Sequence, residues 1–332
     1  MRIFITGQAG FLGSHLADRL HDGGHFVSGC DNFVGGDEAN LLRSGECWKA
    51  DCTSFEEMER VFMFRRPEVL FHCAATAYEG LSVFSPSFVT RNIYEASVAT
   101  FSAAIKAGVK RIVFCSSMAR YGGQSYPFTE DQIPAPVDPY GIAKVAAEQT
   151  LKVLCEQHGV EYVIAIPHNI YGPRQKYDDP YRNVASIFCN RMLLGKQPII
   201  YGKGEQMRCF SYIDDVLDCL VRLMDVPSGT VVNIGPDEEF VTINELARVC
   251  AERCKIDLEP VYVPGRPCEV KYATCSADKA RELLGYETKT TLIEGIGKLT
   301  ADILERGPKE FDYAFPLEIE TGAPRTWRER LI

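Results

Sequence analysis

The stretch Thr6-Gly7-Gln8-Ala9-Gly10-Phe11-Leu12-Gly13 decides the fold. It follows a short apolar run, Arg2 to Thr6, and opens a segment with helical spacing, Phe11 to His21. Glycine at position 7 permits a tight strand-to-helix turn. Gly10 lets backbone N–H groups approach a pyrophosphate, and Gly13 lets the helix lie close on the strand. The spacing Gly-x-x-Gly-x-x-Gly is weak alone, because glycine is common in such turns. The next apolar run, Phe26 to Cys30, ends at Asp31, 18 residues past Gly13. A carboxylate there accepts the ribose hydroxyls of NAD and repels the 2′-phosphate of NADP, and no arginine follows it, only Asn32 and Phe33. Strand, turn, helix, strand and acid in this order predict a dinucleotide site. Asp51 is placed either to reach the adenine or as an ordinary acid ahead of a helix over 55–60.

Outward from this turn the pattern alternates. Further strands are expected at Val69 to His72, Arg111 to Ser116, Tyr162 to Ile166 and Val231 to Ile234, with helices at Asn92 to Ala107 and Tyr140 to His158. Such alternation builds an α/β protein with a Rossmann-type, doubly wound parallel sheet. We expect an NAD-binding domain over 1–168, with return segments near 211–235. After Asn169 the sequence becomes irregular and rich in Pro, Tyr and Arg, so 169–332 is expected to form mainly a smaller substrate-binding lobe.

Composition bounds the function. The chain has 332 residues, 46% of them hydrophobic and 24% charged, which suits a packed core. Its net charge of −9 argues against a nucleic-acid partner. No apolar run reaches the roughly 18 residues of a membrane span, and the N-terminus lacks signal-peptide features, so a cytoplasmic protein is expected. The 13 cysteines, odd in number and scattered, read as reduced thiols used in packing. Cys250 and Cys254 share a helix face without a third ligand nearby, and no metal is expected.

A second motif carries chemistry. Tyr140-Gly141-Ile142-Ala143-Lys144 puts a phenol and an ammonium four residues apart, on one helical face. A cation near the phenol would lower its pKa and let it act as a base near neutral pH. Ser116 and Ser117 end a strand upstream, where a hydroxyl would face the cofactor crevice.

With these pieces in place the chain resembles the extended short-chain dehydrogenase/reductase family, in its nucleotide-sugar epimerase/dehydratase branch. The resemblance runs from residue 1 to about 290. It rests on the glycine turn, Asp31-Asn32, Phe114 to Ser117 with Tyr121-Gly122, and Asp138-Pro139-Tyr140 through Lys144. It continues through His168 to Arg174, Arg208 to Asp215 and Leu283 to Tyr286. It implies Ser117, Tyr140 and Lys144 as the catalytic trio, with Asn92 behind it. It implies cofactor contacts at Gly7, Gly10, Phe11, Leu12, Gly13, Asp31, Asn32, Asp51, Cys52, Ala74, Asn92, Tyr140 and Lys144. Substrate contacts fall at Ser117, Met118, Asn169, Arg208, Arg266 and Glu269. The implied cofactor is NAD, the partner a nucleotide-diphosphate sugar, and the assembly a homodimer. The dimer would pair the two long helices through surplus apolar residues such as Ile93, Val98, Phe101, Val145, Leu151 and Leu154. Arg174, Arg182 and Arg191 are further phosphate candidates, whereas His168, Cys73, Cys115 and Cys209 read as packing residues.

Departures from the family narrow the reaction. Dehydratases of this branch carry an Asp-Glu pair where this chain has Met118 and Ala119, and the decarboxylases carry Glu in place of Ala119. The Cys–Lys pair of the 3,5-epimerases is replaced by Ala119 and Asn183. The set that remains suits hydride transfer alone, hence a 4-epimerase with a transient 4-keto sugar. The alternatives are a 4-keto reductase, an epimerase at another carbon or a dehydratase, and, in a different class, a noncatalytic NAD-sensing protein.

Overall fold

The computed structural model describes residues 1–41, 46–315 and 317–332. Six strands in chain order, β1 (Arg2–Thr6), β2 (Phe26–Asp31), β3 (Cys47–Lys49), β4 (Val69–His72), β5 (Arg111–Cys115) and β6 (Glu161–Pro167), are joined by a seventh, Val231–Ile234, in one sheet. Its order is Val231–Ile234, β6, β5, β4, β1, β2, β3, and every pairing is parallel. The chain therefore reverses direction between β1 and β4, and the crevice beyond their carboxyl ends is where such sheets take ligands. Strand β3 has only three residues, half-exposed at the sheet edge, too short for a periodic signal.

The helix Phe11–Asp22 starts directly from the glycine turn, with Gly10 as its extended N-cap and no capping side chain. Its first N–H groups are thus left for a ligand. The helix Pro139–His158 carries its own punctuation. Asp138 caps it by accepting the Gly141 N–H at 2.8 Å, Pro139 occupies its first turn, and Gly159 ends it in a left-handed conformation. The expected helix from Asn92 is broken differently. Residues Arg91–Glu95 form a π-helical turn before the regular helix Ala96–Lys106, and Asn92 Nδ2 donates to the Phe88 carbonyl at 2.8 Å. Such a wide turn often marks a functional site.

Beyond Asn169 the chain forms short two- and three-stranded sheets and three packed helices, Val184–Leu193, Ile243–Cys254 and Leu292–Arg306. The last two begin with reciprocal capping boxes, Thr242 with Glu245 and Thr291 with Glu294. The helix Ile213–Arg222 instead packs against Phe11–Asp22, on the main sheet. One apolar core runs from Ile3, Leu16 and Leu20 through Val216 and Leu220 to Leu246, Ile296 and Ile303, with no break at residue 168. A separate cluster joins Tyr78, Phe84, Ile93 and Tyr140 to Ala323, Trp327 and Ile332, and Ile332 also borders the cavity described below.

The apolar residues expected to face a partner are mostly used internally. Ile93, Phe101 and Leu151 are buried in the subunit's own clusters, and Val145 is buried as well. Val98 and Leu154 are half-buried, and the exposed apolar residues of the Pro139–His158 helix are Ile142 and Val153. Among the described residues no helix is long and apolar enough to cross a membrane.

Candidate active site

A cavity of about 490 Å³ opens at the carboxyl ends of the strands and continues between the sheet and the segments after Asn169. Its size falls within the range of small-molecule sites. At one end lies the glycine turn. Gly7 has φ +72°, a conformation that disfavours any side chain, and its N–H donates to the Cys30 carbonyl at 2.8 Å. A Cβ on Gly13 would overlap the Gly7 carbonyl oxygen. The turn is thus closed against its own helix, and the N–H groups of that helix face the cavity.

Asp31 sits beside the turn, accepting N–H from Ala9 at 3.0 Å and Phe33 at 2.8 Å. Burial raises its carboxyl above the usual value, opposed by those N–H groups and by Arg182. Arg182 was not visible as a neighbour in sequence. It lies 151 residues on, its guanidinium held by Asp179 at 3.3 Å over the Tyr78 ring, with one nitrogen against Gly35. Asp51 accepts the Thr53 N–H at 2.9 Å and also lines the cavity, while the actual helix cap is Ser54.

The other end holds the catalytic motif. Tyr140 is 7% exposed, and Ser117 lines the same end of the cavity, its hydroxyl accepting the Ala119 N–H at 3.2 Å. Burial raises the Tyr140 phenol above its ordinary value. Ser117 and Arg182 lower it, while Glu79 and Asp138 raise it. Lys144 does not act on it as expected. The helix does place both residues on one face, but the Lys144 ammonium turns to the end of β5 and donates to the Cys115 carbonyl at 2.7 Å. A buried lysine needs a hydrogen-bond acceptor, and that carbonyl supplies one. Burial lowers its pKa to about 8. Burial thus favours the neutral phenol.

Behind these groups sits a buried ion pair that sequence reasoning missed. Arg120 meets Glu148 at 3.0 Å with both side chains under 10% exposed, and Ser116 donates to the same carboxylate. Both residues come from regular-looking positions, and only the fold brings them together. His72 is likewise buried, between Thr6 Oγ1 at 2.7 Å and Ser97 Oγ at 3.1 Å, and burial lowers its pKa to about 3, so it stays neutral.

Every residue expected in the site lines the cavity except Met118: Gly7, Gly10, Phe11, Leu12, Gly13, Asp31, Asn32, Asp51, Cys52, Ala74, Asn92, Ser117, Tyr140, Lys144, Asn169, Arg208, Arg266 and Glu269. Met118 begins a short turn, Met118–Tyr121, and packs on the apolar cluster instead. Arg266 pairs with Glu269 at 2.7 Å and lies over the Tyr201 ring, and Arg208 donates to three backbone carbonyls. Of the additional arginines only Arg182 reaches the cavity. Arg174 pairs with Asp18 at 2.8 Å, and Arg191 donates to the Gln197 carbonyl. His168 is fully buried against the Pro236 carbonyl, as a packing residue should be. Cys73 and Cys115 do border the cavity, whereas Cys209 bonds to Thr274 in the core. Among the described residues no cluster could hold a metal ion.

A dinucleotide fits this donor set: helix N–H groups for a pyrophosphate, a closed glycine cradle and a ribose-facing acid. The chain belongs to the NAD dependent epimerase/dehydratase family, whose model matches residues 3–235. A UDP-glucose 4-epimerase of Mycolicibacterium smegmatis is 34% identical over 308 residues, 90% of this chain and 97% of that protein. Two solved structures share the fold over 92% of this chain. One is a UDP-glucose 4-epimerase of Thermotoga maritima with UDP-glucose, at TM-score 0.86, 36% identity and 99% of that chain. The other is a UDP-glucuronic acid 4-epimerase of Bacillus cereus with UDP-glucuronic acid and NAD, at TM-score 0.84, 26% identity and 100% of that chain.

NAD is the cofactor the site fits, and Asp31 sets the expected preference over NADP. Replacing Asp31 with Ala should weaken NAD binding and narrow the NAD/NADP difference, because the repelling carboxylate is gone while Arg182 stays nearby. Titration of both dinucleotides checks this, and an unchanged ratio would assign the preference to another group.

Proposed function

We propose that the protein is an NAD-dependent nucleotide-sugar 4-epimerase that works through a transient 4-keto sugar. The carrying observation is a single cavity lined by Ser117, Tyr140 and Lys144 and also by the glycine turn with Asp31. Gly7, Gly10 and Gly13 would hold the pyrophosphate of NAD, Asp31 the adenosine ribose, and Asn92 and Lys144 the region next to Tyr140. NAD, when bound, would supply the hydride acceptor and donor at the sugar carbinol. Tyr140 Oη would accept the C4 hydroxyl proton after giving up its own, a loss favoured by the positive potential of Lys144 and of bound NAD, and would later return it, with Ser117 Oγ hydrogen-bonding the same sugar oxygen. Lys144, with a pKa of about 8, keeps its charge at neutral pH and adds positive potential at the end of β5. Asn169, Arg208 and Arg266 would anchor the diphosphate while the sugar turns, with Glu269 fixing the Arg266 fork. Met118 and Ala119 supply no carboxylate for elimination.

The test is mass spectrometry of nucleotides retained by the purified protein, coupled to a panel of UDP-, GDP-, CDP- and dTDP-sugars. Product of unchanged mass without net NADH supports epimerisation, and stoichiometric cofactor consumption would replace it with a reductase. Uracil is the base expected, on the likeness to UDP-glucose 4-epimerases.

A homodimer and a cytoplasmic setting belong to the same reading. The first is supported by the exposed Ile142 and Val153, 55% and 64% accessible on one helix, and the second by the free state of all the cysteines. Sedimentation at micromolar concentration should give twice the chain mass. A monomer that stays so with NAD bound would end the dimer proposal.

A further inference from the structure

Five carboxylates line the cavity: Asp31, Asp51, Glu79, Asp138 and Glu269. Four are held by the protein. Asp31 and Asp51 accept backbone N–H groups, Asp138 caps a helix, and Glu269 pairs with Arg266. Glu79 differs, because among the described residues no hydrogen bond or ion pair engages its carboxylate. Its side chain is accessible through the cavity, at the start of the short helix Glu79–Ser82.

Its position is informative. Glu79 is near enough to Tyr140 to raise the phenol, and it lies in the field of Arg208 and Arg266. The adjoining Gly80 faces the Arg266 guanidinium, which a Cβ there would meet at 3.4 Å. A nucleotide sugar with its carbinol at Tyr140 and its diphosphate at the two arginines must stretch its hexose past Glu79. A free carboxylate in a pocket for a dianionic ligand adds repulsion unless the ligand brings donors to it. Hexose hydroxyls are such donors, and a sugar carboxylate is not.

We propose that Glu79 is a specificity-determining residue whose carboxylate accepts hydroxyl donors from the hexose and repels an anionic one. The substrate class is then nucleotide sugars with an uncharged hexose, not nucleotide uronates. This rests on the nucleotide-sugar reading above, and it separates the protein from relatives that act on glucuronate.

The experiment measures binding of UDP-glucose and UDP-glucuronate to the NAD-loaded protein by calorimetry, with turnover followed in parallel. The wild type should bind the uronate roughly 100-fold more weakly, as expected for like charges brought together in a binding site. Glu79→Gln should shrink that ratio by roughly tenfold, and Glu79→Lys should invert it. A ratio that is near one in the wild type, or unchanged in both variants, overturns the proposal. A retained binding preference without turnover of either sugar supports the role of Glu79 and counts against the epimerase reading instead. If neither UDP-sugar binds, the same hexose and uronate pair is taken on the nucleotide that the panel identifies, and binding of no nucleotide sugar in the panel overturns the nucleotide-sugar reading itself.

Discussion

A Tyr140→Phe variant is expected to lose roughly 10²–10⁴-fold in turnover, the range for a positioned proton-transfer group. Retained NAD should be nearly unchanged, since the glycine turn and Asp31 lie at the far end of the cavity. The substitution removes one oxygen from a phenol that is otherwise packed among Ile93, Ala119 and Ala143, so the fold should tolerate it. Product mass and NADH absorbance are followed together with a confirmed substrate. Wild-type product of unchanged mass fits epimerisation, whereas loss of one water would identify a dehydratase despite Met118. Full activity in the variant would remove Tyr140 from the mechanism.

Arg120→Met is expected to cost about 3–5 kcal/mol of stability, because it leaves the Glu148 carboxylate buried without its cation. Burial already raises the Glu148 carboxyl above its usual value, against the pull of Arg120, Ser116 and Lys144. Without Arg120 that rise should grow. A group whose folded-state pKa is raised binds more protons when folded, so stability falls as pH climbs through the shifted range. The gap in melting temperature between wild type and variant should therefore widen as pH rises above the ordinary carboxylate range. A constant gap would mean that Glu148 stays ionised and finds another partner. Since the pair also flanks Lys144, the variant should lose activity beyond what instability explains.

The sheet was legible because its strands are buried on both faces and read as short apolar runs, and the glycine turn fixed where the ligand enters. The strand Cys47–Lys49 was not, since three half-exposed residues carry no period. The π-helical turn at Arg91–Glu95 escaped for a related reason: its composition is that of any helix. In the site, local motifs were recoverable and long-range partners were not. Tyr140 and Lys144 follow from spacing, whereas the choice of Ser117 over Ser116 follows from the family resemblance. The turn of Lys144 toward Cys115 does not, because it depends on which acceptor the folded chain leaves within reach. Arg182 against Gly35, the Arg120–Glu148 pair and the unengaged Glu79 are likewise products of tertiary placement. Met118 is half-buried against an apolar cluster and outside the cavity lining, a placement set by the short turn that begins there and not visible from its adjacency to Ser117.

The core that passes residue 168 without a break has a consequence for how the molecule comes apart. Leu16 and Leu20, on the helix after the glycine turn, share one apolar cluster with Leu246 and Ile303 far along the chain. Cutting the chain at its apparent boundary would strip both halves of contacts in the same cluster, so neither half should survive alone. Heating should melt the protein in a single calorimetric transition, and limited proteolysis should release no stable fragment ending near residue 168.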